Sequence, residues 1–194
     1  MDIILIPESK EKFPFKPSPM QSHTPLSIIV AIAENNAIGH KNQLLCYLPD
    51  DLKYFKRITQ GKTVIMGKNT WFSLPVRPLP GRRNLVLTDL PEEKIPGAET
   101  VYSLEEAMEK ADPTEENFII GGGSIYRQFL PYAQKLYITH VLHSFQADTY
   151  FEPIDPKEWE QISFEKHPRN EKNAYDFAFA VYRRRSEIEA PNTR

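Results

Sequence analysis

A single α/β domain, with a mostly parallel central sheet and an antiparallel edge, is the fold the sequence predicts. Three observations predict it. From Ser27 onward, short apolar runs alternate with helix signals, the pattern of repeated strand–helix–strand units. The last strand-like runs, 135–143, 159–167 and 175–185, are long and have no long helix between them, which favours antiparallel pairing. The chain has 194 residues, 40% hydrophobic and 26% charged, which suffices for one core and is too mixed for disorder.

The elements follow in order. Pro7, Pro14, Pro17, Pro19 and Pro25 interrupt residues 1–26, and repeated proline removes donors and fixes φ, so no long helix or central strand forms there. The opening run Ile3-Ile4-Leu5-Ile6 is preceded by no basic residue and is too short for a secretion signal. Residues 1–26 are therefore read as an extension, with Met20 as an alternative start, and the domain as 27–185. Ser27 to Ala33 is an apolar run suited to a strand buried on both faces. Asn35, Asn36 and Gly39 mark a turn. Pro49, Asp50 and Asp51 open a helix, because proline suits its first position and acids its first turn. Leu52, Phe55 and Ile58 form its apolar stripe, and Gly61 stops it. A strand over 63–66 turns through Gly67-Lys68-Asn69-Thr70-Trp71 into another helix. Residues 75–80 form a loop, 84–88 a strand and 99–102 a weaker one. Ser103-Leu104-Glu105-Glu106 is a capping box that opens a helix through Ala111. A strand over 117–120 meets Gly121-Gly122-Gly123-Ser124 and a helix over 125–130. Residues 186–194 form a polar tail.

Composition excludes several function classes. A net charge of -2 gives no electrostatic case for nucleic acid. One cysteine, Cys46, cannot staple the chain, and no apolar run approaches the roughly 18 residues of a membrane span. No His-Glu-x-x-His or Cys-x-x-Cys spacing argues for a metal. His140 and His143 fall in one strand, three apart, and so point to opposite faces as core or surface residues.

Two strand-to-helix turns carry the strongest chemical signal. At Gly121-Gly122-Gly123 the backbone can come close to a ligand, and a helix start offers free N–H groups to phosphate. The turn at Gly67-Lys68-Asn69-Thr70 repeats the device and adds a cation. Together they could hold both ends of a dinucleotide, although the common G-x-G-x-x-G spacing is absent. Asp51, beside the apolar stripe, reads either as a tuned acid or as a helix-start charge, and Asp50 fits the second reading better. Arg82, after the Pro80-Gly81 turn, reads either as a carboxylate clamp or as an exposed loop cation. Cys46 reads as a small apolar residue.

Between Ser27 and Arg185 the sequence resembles the bacterial chromosomal dihydrofolate reductases. The segments that carry the resemblance are Val30-Ala31-Ile32-Ala33, Ala37-Ile38-Gly39, Leu48-Pro49-Asp50-Asp51-Leu52-Lys53-Tyr54-Phe55-Lys56, Val64-Ile65-Met66-Gly67 and Thr70-Trp71. Arg77-Pro78-Leu79-Pro80-Gly81-Arg82, Ile120-Gly121-Gly122-Gly123, Tyr126, Leu136-Tyr137-Ile138-Thr139 and Asp148-Thr149 complete them.

The resemblance implies a mixed, mostly parallel eight-stranded sheet flanked by about four helices. It implies NADPH-dependent reduction of 7,8-dihydrofolate to tetrahydrofolate, with hydride to pterin carbon 6 and a proton to nitrogen 5, by a cytoplasmic monomer without nucleic-acid or membrane partner. By position, Asp51 would bind the pterin amino-pyrimidine edge, supported by Thr139. Ile29, Val30, Leu52, Phe55, Leu74 and Leu79 would line the pterin and benzoyl slot, and Arg82 would bind the glutamate-tail carboxylate. Ala31, Ile38 and Gly39 would sit at the nicotinamide. Gly67, Thr70, Gly121, Gly122, Gly123, Ser124 and Ile125 would hold the pyrophosphate, with the family's cis peptide at Gly121-Gly122. Lys68, Asn69 and Thr88 would lie at the adenosine 2′-phosphate, and Ile120 and Tyr126 between the two ligands. The loop over 35–45 would close the site.

Three positions depart from the family pattern. Cys46 stands where a tryptophan is usual, Asn69 replaces a usually basic residue, and Asp89 follows Thr88 where a helpful polar or basic group is common. Lys68 is then the main source of NADP preference, and the margin over NADH should be small. Two alternatives are a riboflavin-pathway pyrimidine reductase of the same fold and a non-catalytic nucleotide-binding relic. Neither requires Asp51, Thr139 and Arg82 together.

Overall fold

The computed structural model describes residues 24–185, so the expectations for the extension before Thr24 and for the tail over 186–194 lie outside the described residues. The domain begins slightly earlier than the sequence pattern suggested. Strand β1 (Leu26–Ala33) starts with Leu26, which is buried and donates its amide to Gln134 Oε1 at 2.6 Å. It is followed by β2 (Ala37–Gly39), α1 (Pro49–Thr59), β3 (Thr63–Gly67), α2 (Lys68–Ser73), β4 (Arg83–Leu87), β5 (Glu99–Val101) and α3 (Leu104–Lys110). The second half contains β6 (Asn117–Gly121), α4 (Gly123–Phe129), a 3-10 turn over Leu130–Tyr132, β7 (Lys135–Val141), β8 (Thr149–Tyr150), β9 (Trp159–His167) and β10 (Phe177–Arg184).

Eight strands form one sheet in the order β5-β4-β3-β6-β1-β7-β10-β9. Pairing is parallel from β5 through β7, and β10 runs antiparallel to both β7 and β9, which is the predicted antiparallel edge. Alternate residues of β1 enter different cores, as period-two side-chain direction requires. Ile28, Val30 and Ile32 pack with α3 and α4, whereas Ile29 packs with Tyr54 of α1 and Trp71 of α2. This is why the run from Ile28 to Ala33 is continuously apolar.

Two readings of the sequence are corrected. The predicted loop over 35–45 contains β2, which pairs with β8 in a separate two-stranded sheet. A three-residue strand is too short for periodicity to reveal. Strand β7 ends at Val141, so His143 lies in the following turn and not in the strand, with its ring 4.7 Å from those of both Phe145 and Tyr175.

Candidate active site

The ends of β1, β3, β4, β6 and β7, together with α1, α2 and α4, enclose a cleft of about 1680 Å³. Drug-sized ligands occupy roughly 300–1,000 Å³, so this space suits two molecules side by side. It lies at the C-terminal edge of the parallel strands, where open α/β sheets place their ligands. Every residue to which the sequence assigned a binding role lines it.

Asp51 is positioned by three contacts of its helix. Leu48 has no side chain that can cap α1, and the buried Asn173 holds the helix start in its place. Its Oδ1 accepts from the Asp50 amide at 3.3 Å and its Nδ2 donates to Asp50 Oδ2 at 2.7 Å. The ring of Tyr54 stacks on Phe179 of β10 at 4.0 Å. Thr139, opposite Ala31 in the β1–β7 register, donates its hydroxyl to Asp51 Oδ1 at 2.6 Å. Among the described residues no protein donor meets Oδ2 and no cation pairs with Asp51. Burial pushes the Asp51 carboxyl above its ordinary range, opposed by the Thr139 bond. Asp50 is held below its usual value by Asn173 and Lys53, so the two acids divide as the sequence suggested: Asp50 anchors the helix start and Asp51 faces the cleft.

The apolar stripe of α1 is shared between core and cleft. Tyr54 and Thr59 are its buried residues, Phe55 and Ile58 are partly buried against the same core cluster as Tyr54, and Leu52 is 39% exposed at the cleft, where the resemblance placed it. Leu52, Phe55, Leu74 and Leu79 supply apolar lining to the cleft. At that end, Arg82 Nε donates to the Pro80 carbonyl and Nη1 to Thr59 Oγ1, both at 3.1 Å, with the guanidinium 5.8 Å from the Phe55 ring. Burial lowers its pKa, yet guanidinium remains charged, and no carboxylate pairs with it among the described residues. An oriented, uncompensated fork at the mouth of an apolar slot suits a carboxylate ligand.

The two glycine turns approach the other side. The Gly121-Gly122 peptide is cis, as the resemblance implied, and Gly121 has φ 124, a conformation that L side chains rarely adopt. A Cβ on Gly67 would lie 2.9 Å from Ile125 Cγ1. The helices that follow have only six and seven residues, so these turns contribute close backbone approach more than a long helix dipole. Gly121→Ala should lower stability by about 1–3 kcal/mol in urea titration, because alanine cannot adopt that φ without strain. Tyr126, buried with its pKa pushed well up, donates its hydroxyl to the Ile29 carbonyl at 3.0 Å and so ties α4 to β1.

Lys68 and Thr88 line the cleft, but both are engaged. Lys68 Nζ lies 2.6 Å from Glu93 Oε1, and Thr88 donates to Glu93 Oε2 at 2.5 Å. Glu93 was missed because it sits on an irregular segment with no motif around it. Also missed were Tyr102, Ser103, Leu104 and Glu105, which line the cleft beyond Thr88, and Gln43, Leu44 and Tyr47 of the loop before α1. Ser103 was visible only as a helix cap, a role it does fill by accepting from the Glu106 amide. Cys46 packs against the cluster of Leu48, Val141 and Phe177, and burial, with the Asp51 charge second, pushes its thiol up to about 11, so it is inert at neutral pH. No helix among the described residues is long and apolar enough to cross a membrane.

Comparisons with known proteins agree with this geometry. Residues 25–184 match the family model described as dihydrofolate reductase. The chain is 39% identical over 165 residues to the dihydrofolate reductase of Bacillus subtilis, covering 85% of this chain and 98% of that one. It is 46% identical over 136 residues to the Neisseria gonorrhoeae enzyme, covering 70% and 84%. A solved structure, dihydrofolate reductase from Enterococcus faecalis complexed with NADP(H) and RAB-propyl, aligns with a TM-score of 0.78 at 34% identity, covering 84% of this chain and 97% of that one.

Proposed function

We infer that the chain, which belongs to the dihydrofolate reductase family, carries that family's reaction on the Asp51–Thr139 pair, the Arg82 fork and the two glycine turns. It is an NADPH-dependent oxidoreductase that reduces 7,8-dihydrofolate to 5,6,7,8-tetrahydrofolate, and this reading stands over the pyrimidine reductase and the non-catalytic relic. The observation that carries the residue assignment is Asp51: a half-buried acid, fixed through one oxygen by Thr139 and paired with no cation among the described residues, beside the apolar wall of Leu52 and Phe55.

The residues present fit a dinucleotide. The positive φ of Gly121, open to glycine and strained for any other residue, and the tight Gly67–Ile125 approach leave backbone where a side chain would obstruct it, and the cleft has room for two ligands. Gly67, Thr70 and Gly121 through Ile125 would hold the pyrophosphate, Lys68 and Thr88 the 2′-phosphate, and Ala31, Ile38, Gly39 and Ile120 the nicotinamide. NADPH, when bound, supplies the hydride for pterin carbon 6. Asp51 Oδ2 binds the amino-pyrimidine edge, and its negative charge favours the protonated ring, so that water delivers the proton to nitrogen 5. Leu52, Phe55, Leu74 and Leu79 exclude water from the rest of the pterin and benzoyl surface. Arg82 holds the glutamate-tail carboxylate. We place the enzyme in the cytoplasm as a monomer with no nucleic-acid partner; the net charge of -2 supports the last point.

Oxidation of NADPH that depends on added dihydrofolate tests the activity, and no dependence would defeat it. Lys68→Ala should weaken NADPH binding by about three- to ten-fold and leave NADH binding unchanged, because a partly exposed charge contact is lost. Fluorescence titration with each cofactor checks this.

A further inference from the structure

We propose that Glu93 is a specificity-determining residue of the 2′-phosphate subsite: an internal anion that occupies Lys68 and Thr88 and competes with the phosphate for them. The inference rests on the placement of that phosphate at Lys68.

Three features of the structure support it. Both carboxylate oxygens of Glu93 are used, one on the ammonium of Lys68 at 2.6 Å and one on the hydroxyl of Thr88 at 2.5 Å. These are the contacts a phosphate oxygen pair would make, a cation and a neutral donor. The backbone holds Glu93 in this direction: its carbonyl accepts from the Tyr102 hydroxyl at 2.8 Å, its amide donates to the Leu90 carbonyl at 3.3 Å, and the preceding Glu92 sits at φ 64. Tyr102, Lys68 and Thr88 all line the cleft, so this device faces the ligand side of the fold.

Charge decides the consequence. Lys68 is one cation set against Glu93 and Asp89, while Asn69 adds no charge. A 2′-phosphate near neutral pH carries close to two negative charges. The phosphate and the Glu93 carboxylate repel each other across one ammonium, so phosphate binding favours the arrangement in which Glu93 has turned away. The apparent affinity is then the intrinsic affinity scaled by the fraction of molecules in which Glu93 has released Lys68. A cofactor without the phosphate does not meet this competition. The device therefore narrows the margin of NADPH over NADH without touching the nicotinamide end.

The test is calorimetric titration of the full chain with adenosine 2′,5′-bisphosphate and, separately, adenosine 5′-monophosphate. Glu93→Gln and Glu93→Ala should each bind the bisphosphate about three- to ten-fold more tightly and the monophosphate within two-fold of wild type. On a Lys68→Ala background the gain should shrink to the part that comes from freeing Thr88, and an undiminished gain would overturn the competition for Lys68. Unchanged or weaker bisphosphate binding in both Glu93 variants, with Lys68→Ala still weakening it, would overturn the inference alone and make Glu93 a support that aims Lys68. No loss in Lys68→Ala would overturn the placement of the phosphate, and this inference with it. Melting curves of each variant confirm that the compared proteins are folded.

Discussion

Asp51→Asn should lower turnover at neutral pH by about 10²–10⁴-fold, the range for loss of a positioned acid–base group. Asparagine keeps the oxygen that accepts from Thr139, so the shape of the slot survives while the charge does not. Part of the loss should return at low pH, where solvent protonates dihydrofolate, and cofactor binding should hardly change. Stability should move in the opposite direction. Burial raises the Asp51 carboxyl above its ordinary 3.8, so the folded protein binds this proton more tightly than the unfolded chain does. The stabilisation from this group is complete below 3.8 and is lost as pH rises through the raised folded value. At neutral pH the ionised carboxylate therefore costs stability, and Asp51→Asn should melt above wild type, with the gap closing in acid. A mere helix-start charge predicts a stability loss of about 0.3–1 kcal/mol with near-normal turnover. Steady-state rates from pH 5 to 9 beside melting curves separate the two; wild-type turnover would defeat the assignment.

Arg82→Ala should raise the Michaelis constant for dihydrofolate by about 30- to 150-fold, since a charge-assisted pair to a carboxylate contributes about 2–3 kcal/mol. The cofactor constant should hardly move, because Arg82 sits with Thr59 and Phe55 at the far end of the slot. Arg82→Lys should fall between, keeping the charge but losing the fork that the Pro80 and Thr59 contacts orient. Thr59 retains its bond to the Phe55 carbonyl at 2.8 Å, so the melting temperature should change little. A substrate without the glutamate tail supplies the control. If Arg82→Ala impairs that substrate equally, the residue supports the slot and does not bind the carboxylate.

The role of Asn173 marks where reading the chain alone stops. It lies in a polar stretch, Asn170-Glu171-Lys172-Asn173, that reads as loop, and it is 123 residues from the Asp50 it holds. Nothing local could announce that the first turn of α1 is capped from there. The same holds for Glu93, whose two contacts alter what Lys68 and Thr88 can do. Leu52 shows the converse limit: an apolar stripe signals a face that avoids water, but a ligand slot and a protein core satisfy it equally.

The sequence by itself determined the alternation of strand and helix, the buried β1, the antiparallel edge, the two glycine turns and, through resemblance, the residues that meet in the cleft. These are local signals: side-chain period, the backbone freedom of glycine, the fixed φ of proline and short ordered motifs carry them without knowledge of the fold. The tertiary structure alone decided that Tyr54 and Thr59 are the buried residues of α1, that Thr139 meets only one oxygen of Asp51, that Arg82 has no carboxylate partner among the described residues, and that Glu93 already holds Lys68. Burial and charge pairing are sums over neighbours distant in sequence, so pKa shifts and ligand competition arise only when the chain has closed on itself.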